Sequence, residues 1–179
     1  SGEIMVCFVS SKPDPKFQSI AEILMKNHAD IKSVILNINS KNTNVIMGSR
    51  CITLGGSDTI TDIMCGNKIS LSPLSFYQVN TAQAEKLYGI AAEFAALTGN
   101  EDVLDLYCGA GTIGLSMAGK AKHITGAEII PQAVENAKLN ARENGIENAD
   151  FICADAGQAA KLLCDKGRAP DFIITDPPR

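Results

Sequence analysis

Asp105-Leu-Tyr-Cys-Gly-Ala-Gly-Thr-Ile-Gly114 is the stretch on which the fold turns. The apolar run Val103 to Tyr107 leads into it as a strand, and Thr112 to Ala118 leaves it as a helix. Gly109, Gly111 and Gly114 therefore belong to a strand-to-helix turn, where glycine permits a tight reversal and a close backbone approach by a ligand. Downstream, His123 to Ala127 reads as a second strand. Pro131 then opens a helix that Gly145 closes, the usual asymmetry of helix ends. Phe151 to Ala154 and Phe172 to Thr175 read as two further strands, with a helix from about Gly157 to Cys164 between them. Upstream, a helix is expected from about Asn80 to Leu97, with Leu87, Tyr88, Ala91, Phe94 and Ala95 as its apolar face. Strand alternating with helix at this rhythm predicts right-handed crossovers and an α/β, doubly wound parallel sheet.

The style of the sequence changes near Pro73. Before it come an apolar run Ile4 to Ser10, a segment with Phe17, Ile20, Ala21 and Leu24 at helical spacing, and a second run Ile31 to Ile38. Four short β-prone runs follow: Asn44 to Met47, Cys51 to Leu54, Thr59 to Cys65 and Lys68 to Leu71. Gly48, Gly55, Gly56 and Gly66 punctuate them and suggest hairpins. The expected division is a small α+β module over 1–74 and a ligand-binding domain over 75–179. With 179 residues, 45% of them apolar, the chain can bury a real core. Its 16 Lys+Arg against 20 Asp+Glu lack the basic excess of an autonomous nucleic-acid binder. The six cysteines form neither a CxxC pair nor a ligand ladder with His28 and His123, so free thiols and no metal are expected. No 18-residue apolar run and no secretory leader is seen, which points to a cytoplasmic protein without a membrane partner.

Ligands of such a sheet bind at the carboxyl ends of its strands, beside the point where strand order reverses. An acid stands at each of the four strand ends: Asp105, Glu128, Asp155 and Asp176. The glycines alone match GxGxxG, which nicotinamide enzymes also carry. The acids decide between ligands. A pyrophosphate on this turn would be repelled by Asp105 and Asp176, whereas the ammonium and sulfonium of S-adenosylmethionine are favoured by carboxylates. S-adenosylmethionine is therefore the expected cofactor, with Gly109 in its backbone turn. Glu128, 17 residues after Gly111, is placed to accept from both ribose hydroxyls, and Asp155 could accept the adenine amino group. One such acid would read as a helix cap; four in register argue for a pocket. In Asp176-Pro-Pro-Arg179 two prolines stiffen a turn that presents a carboxylate. Many amino-group methyltransferases place an aromatic residue where Arg179 stands, which argues against adenine or cytosine amines as the target.

Ser75-Phe-Tyr-Gln-Val-Asn80, Asp105-Leu-Tyr-Cys-Gly-Ala-Gly111 and Asp176-Pro-Pro-Arg179, in that order, resemble the RNA 5-methyluridine methyltransferase family that modifies ribosomal and transfer RNA. The resemblance is strong from Pro73 to Arg179 and looser over the first 70 residues, which look like the family's central module. It implies a Rossmann-like methyltransferase sheet, truncated here after its fourth strand. It also implies cofactor contacts at Gln78, Tyr107, Glu128 and Asp176. The partner implied is structured RNA, ribosomal rather than transfer, methylated at C5 of a uridine in 23S rRNA. The family's chemistry is covalent: a cysteine thiolate adds to C6, C5 takes the methyl group, and a base removes the C5 proton. Both the nucleophilic cysteine and the base are expected beyond Arg179, so no catalytic residue lies in this chain and it should be inactive alone. Cys108, inside the glycine turn, is expected to pack rather than attack. Rival readings are an RNA methyltransferase acting on cytosine C5 or an exocyclic amine, and a non-catalytic binding module of the same fold. A nicotinamide oxidoreductase is the more distant alternative.

Overall fold

The computed structural model describes residues 2–177. The chain divides into two compact units, Ser1–Asp62 with Ser70–Leu74, and Ile63–Ile69 with Ser75–Arg179.

In the first unit, β1 (Ile4–Ser10) and β2 (Ile31–Ile38) run parallel, joined by α1 (Lys16–Asn27), and β3 (Arg50–Gly56) pairs antiparallel with β2. The sheet order is β1-β2-β3, so β2 is central and most of its side chains are buried. Ala21 of α1, Ile31 and Val34 form the core, with Phe8, Leu24 and Leu54 packed against it. The expected run Asn44 to Met47 is not a strand. The Asn39 amide donates to the carbonyls of Val45 at 2.7 Å and Ile46 at 2.9 Å, holding that segment as a loop. Only β4 (Ile60–Met64) and β5 (Asn67–Leu71) pair with one another among the short runs; β3 joins β2 instead.

The second unit carries a four-stranded parallel sheet in the order β8-β7-β6-β9. Its strands are β6 (Asp102–Leu106), β7 (His123–Glu128), β8 (Ala149–Cys153) and β9 (Phe172–Thr175). Chain order 6, 7, 8 steps outward to one side, and β9 returns to the other side of β6. The reversal therefore falls between β6 and β9, where both carboxyl ends open onto the same edge. The helices are α2 (Thr81–Ala95), α3 (Thr112–Met117, continued by a 3-10 turn to Lys120), α4 (Pro131–Glu143) and α5 (Ala156–Asp165). Asn80 caps α2 by accepting from the Gln83 N–H, and Ala96 ends it in the left-handed region at φ 46°.

Several core clusters fix this sheet. Val103, Ala118, Ala121 and Ile124 form one and Cys108, Leu115, Val134, Ala137, Ala141 and Phe151 another, both packed against Ile146 and Ala149, while Ala159 of α5 packs with Ala127 and Ala154. A fully buried side chain such as Ile124 contributes about 1.5–3 kcal/mol relative to exposure. The face expected for α2 is corrected by one step around the helix. Ala84 and Tyr88 are buried, whereas Leu87 and Phe94 are 61% and 84% exposed. Period alone could not choose between the stripe 84, 88, 91, 95 and the stripe 87, 90, 94, since both are apolar.

Candidate cofactor-binding site

The carboxyl end of β6 does not run straight into α3. Tyr107 takes φ 62°, a left-handed conformation uncommon for a non-glycine residue, and throws the chain over the sheet edge. The Cys108 N–H donates to the Ala127 carbonyl at 3.0 Å and the Gly111 N–H to the Cys108 carbonyl at 2.8 Å, closing the turn. Gly111 then starts α3 at φ 82°, and a Cβ there would also lie 3.0 Å from the Phe151 ring. At Gly114 a Cβ would meet Ile124 at 2.9 Å and Asp105 at 3.0 Å, so only glycine lets the helix lie this close to the strand.

Two acids hold this turn from below. Asp105 is fully buried, and its Oδ2 accepts the Gly114 N–H at 2.9 Å. Its Oδ1 is buried with no hydrogen-bond partner. Burial pushes this carboxyl up to about 7; the Gly114 N–H opposes the shift and the charge of Asp176 adds to it. Glu128, at the end of β7, accepts the Gly109 N–H at 3.1 Å through Oε2 and the Ile130 N–H at 2.9 Å through Oε1. Both its oxygens retain a second lone pair for a ligand hydroxyl.

Above the turn lies a small cleft of about 30 Å³. Gln78, Tyr107, Gly109 and Asp176, four of the expected site residues, line it together with Phe76 and Tyr88. The Tyr88 hydroxyl lies 3.3 Å from the Thr112 hydroxyl, tying α2 to the first turn of α3. Glu128 borders the cleft through its bond to Gly109 rather than lining it. Asp155 lies apart. It is the exposed N-cap of α5, accepting the Gln158 N–H at 2.8 Å in a reciprocal capping box, which occupies one of its oxygens. Pro178 and Arg179, the end of the proline turn, lie outside the described residues; Asp176 is within them and exposed.

Cys108 is 6% exposed among Leu115, Val134 and Phe151, and burial drives its thiol far above the ordinary cysteine range, with Asp105 and Glu128 adding to the shift. A thiol held neutral is a packing group, not a nucleophile. Among the described residues no cluster of His, Cys, Asp or Glu could hold a metal ion, and no helix is long and apolar enough to cross a membrane.

Sequence reasoning gave no role to Phe76, Thr112 or Asn140. The Asn140 amide donates to the Ala110 carbonyl at 3.0 Å, inside the glycine turn. The only signal for it was an asparagine on the inward face of α4 where alanine and valine are the rule.

The donor set suits a cation flanked by hydroxyls and an aromatic wall. Residues 97–176 match the family model described as a methyltransferase domain. The sheet and its glycine turn thus belong to a defined class, the α/β S-adenosylmethionine-dependent methyltransferase fold. Over its whole length the chain is 46% identical to an uncharacterized RNA methyltransferase of Clostridium acetobutylicum. Over 99% of its length it is 44% identical to one of Staphylococcus aureus. It spans 39% of the length of each of these relatives. Among solved structures it is similar to the Pyrococcus abyssi tRNA (uracil-54, C5)-methyltransferase in complex with S-adenosyl-L-homocysteine, at 28% identity and a TM-score of 0.72, covering 99% of this chain and 41% of that one. The M. jannaschii tRNA m1G37 methyltransferase matches at 16% identity and a TM-score of 0.56, covering 99% of this chain and 53% of that one, a likeness of fold alone.

Proposed function

We propose that this chain is the cofactor-binding part of an enzyme that methylates C5 of a uridine in structured RNA. The observation that carries the reading is the meeting of three separate segments at one cleft: Gln78 from 75–80, Tyr107 and Gly109 from the glycine turn, and Asp176 from the end of β9. Chemistry of this donor set fits S-adenosylmethionine. Asp176 in the cleft lining favours a cation, Tyr107 and Phe76 offer aromatic faces to it, and Glu128 offers acceptors to paired hydroxyls. The cofactor supplies an electrophilic methyl group; these residues bind and orient it. Asp155, if it contacts adenine, does so through the oxygen its capping box leaves free.

The relatives' names support RNA as the substrate, and the uracil-C5 activity of the P. abyssi enzyme supports uridine C5. A ribosomal target rests on the sequence resemblance, whereas that solved enzyme acts on tRNA. The nucleophile and base are assigned to the part of the protein outside these 179 residues, and residues 1–74 to an accessory module beside the cofactor-binding part at 75–179.

The test is calorimetric titration with S-adenosylhomocysteine of the unaltered protein and its Asp176→Ala and Glu128→Ala variants. Binding that either substitution weakens at least about tenfold, or about 1.4 kcal/mol, supports the cleft. Equal affinity in all three would overturn it. Incubating the intact protein with S-adenosylmethionine and undermodified rRNA or tRNA, then analysing nucleosides by mass spectrometry, reads the target. A product other than 5-methyluridine would end the uridine reading.

A further inference from the structure

Helix α4 and its C-cap carry amide side chains at four positions spaced by four residues, Gln132, Asn136 and Asn140 in the helix and Asn144 at the cap. That spacing puts them on one stripe of the helix. Asn136 and Asn140 are 5% and 0% exposed, in positions that an alanine or leucine would ordinarily fill. A buried amide costs stability unless it is bonded, so its partners show what it is for.

Each asparagine reaches a different segment. Asn136 Nδ2 donates to the Ser75 hydroxyl at 2.6 Å, at the head of the segment that carries Phe76 and Gln78. Asn140 Nδ2 donates to the carbonyl of Ala110, between Gly109 and Gly111. Asn144 accepts the Lys68 N–H at 2.8 Å and donates to the Lys68 carbonyl and to the Asn140 carbonyl, each at 2.7 Å. Gln132 Nε2 donates to Asn136 Oδ1 at 3.4 Å, extending the stripe by another turn. Two walls of the cleft, the 75–80 segment and the glycine turn, are thus fixed from adjacent turns of one helix that itself lines none of the cleft.

We propose that Asn136 and Asn140 are positioning residues that set the spacing between these two walls and hold the glycine turn in its ligand-binding conformation. The proposal rests on the reading of the cleft as the cofactor site. A turn with glycines at 109 and 111 has many backbone conformations open to it, and a ligand that must order it binds more weakly. The Asn140 amide, bonded to the Ala110 carbonyl alongside the Glu128 bond to Gly109, restricts that freedom before the ligand arrives. Asn144 is the internal control, because it belongs to the same stripe and fixes a segment that lines no part of the cleft.

The experiment compares Asn136→Ala, Asn140→Ala, Asn144→Ala and Asp176→Ala in the intact protein by three measurements. These are the Kd for S-adenosylhomocysteine by calorimetry, the Tm, and amide hydrogen exchange over 109–115. Asn140→Ala should raise the Kd about tenfold and speed exchange in the turn by a similar factor, as loss of a buried hydrogen bond to the turn would. Asn136→Ala should raise the Kd less. Asn144→Ala should lower the Tm comparably and leave the Kd within about twofold. Kd changes that follow Tm losses alike in all three asparagine variants would overturn the proposal. If Asp176→Ala abolishes binding while Asn140→Ala leaves the Kd unchanged, the cleft reading stands and the positioning role falls. If Asp176→Ala leaves the Kd unchanged, the cleft reading itself falls, and faster exchange in Asn140→Ala would still show that the asparagine orders the turn.

Discussion

The two central strands, β2 in the first unit and β6 in the second, bury polar side chains in opposite ways. Asn37 of β2 is fully buried, and its amide is used completely: it accepts the Gly48 N–H at 2.7 Å, donates to the Gly48 carbonyl at 2.7 Å and donates to Cys51 Sγ at 3.2 Å. Ser33, on the same strand, leaves its hydroxyl unpartnered, but a hydroxyl carries no charge. Asp105 of β6 is equally buried, is an acid, and leaves Oδ1 without a partner. Satisfied buried polar groups are scaffold, while an unsatisfied buried acid is a standing cost that a cationic ligand can relieve. The contrast separates a strand whose buried amide holds a loop from a strand whose buried acid keeps an oxygen unpaired beside the glycine turn.

The largest effect that should sharpen this contrast is at Gly114. Gly114→Ala forces a methyl against Ile124 and Asp105, and is expected to cost about 3 kcal/mol and to weaken S-adenosylhomocysteine binding; denaturant melts and calorimetry read both. Asn37→Ala strips both partners from Gly48 and should cost about 2 kcal/mol with the cofactor affinity unmoved. An affinity loss there would break the distinction between the two strands.

The third effect is pH dependence. The Asp105 carboxyl is raised in the folded protein, to about 7, mainly by burial. A raised group contributes stability that is fully present below its unfolded pKa and is lost as pH rises through the folded value. The ligand-free protein should therefore lose on the order of 2 kcal/mol between about pH 5 and pH 8 relative to Asp105→Asn, as judged by paired melts. Bound S-adenosylhomocysteine should reduce that loss, because its ammonium favours the ionised carboxyl. Parallel pH profiles of wild type and variant would show that Asp105 is not the titrating group. The smallest effect is at Lys122, whose ion pair with Asp102 at 3.0 Å lies on the surface; Lys122→Ala should change stability by less than about 0.5 kcal/mol.

Much of the second unit was legible in the sequence because its elements are specified locally. The strand entering the glycine turn, Pro131 at the head of α4, and the four strands in alternation with helices all follow from periodicity and from glycine and proline positions. Asn44 to Met47 misled because the Asn39 side chain takes the carbonyls of Val45 and Ile46, six and seven residues on, that a strand partner would have used. Asp155 shows the same limit at the site. Its place at a strand end is legible, whereas the engagement of its carboxylate by the Gln158 backbone N–H arises only once the first turn of α5 forms there.

The sequence by itself determined the doubly wound class, the glycine turn and the acids at the strand ends, since each is set by residues close together in the chain. Only the tertiary structure decided which face of α2 is buried, which acids meet at the cleft, that Asp105 keeps an oxygen unpaired, and that Asn140 reaches Ala110. Those facts depend on contacts between different elements, such as Tyr88 with Thr112 and Asn140 with Ala110, and burial and hydrogen-bond geometry of that kind arise when the elements pack.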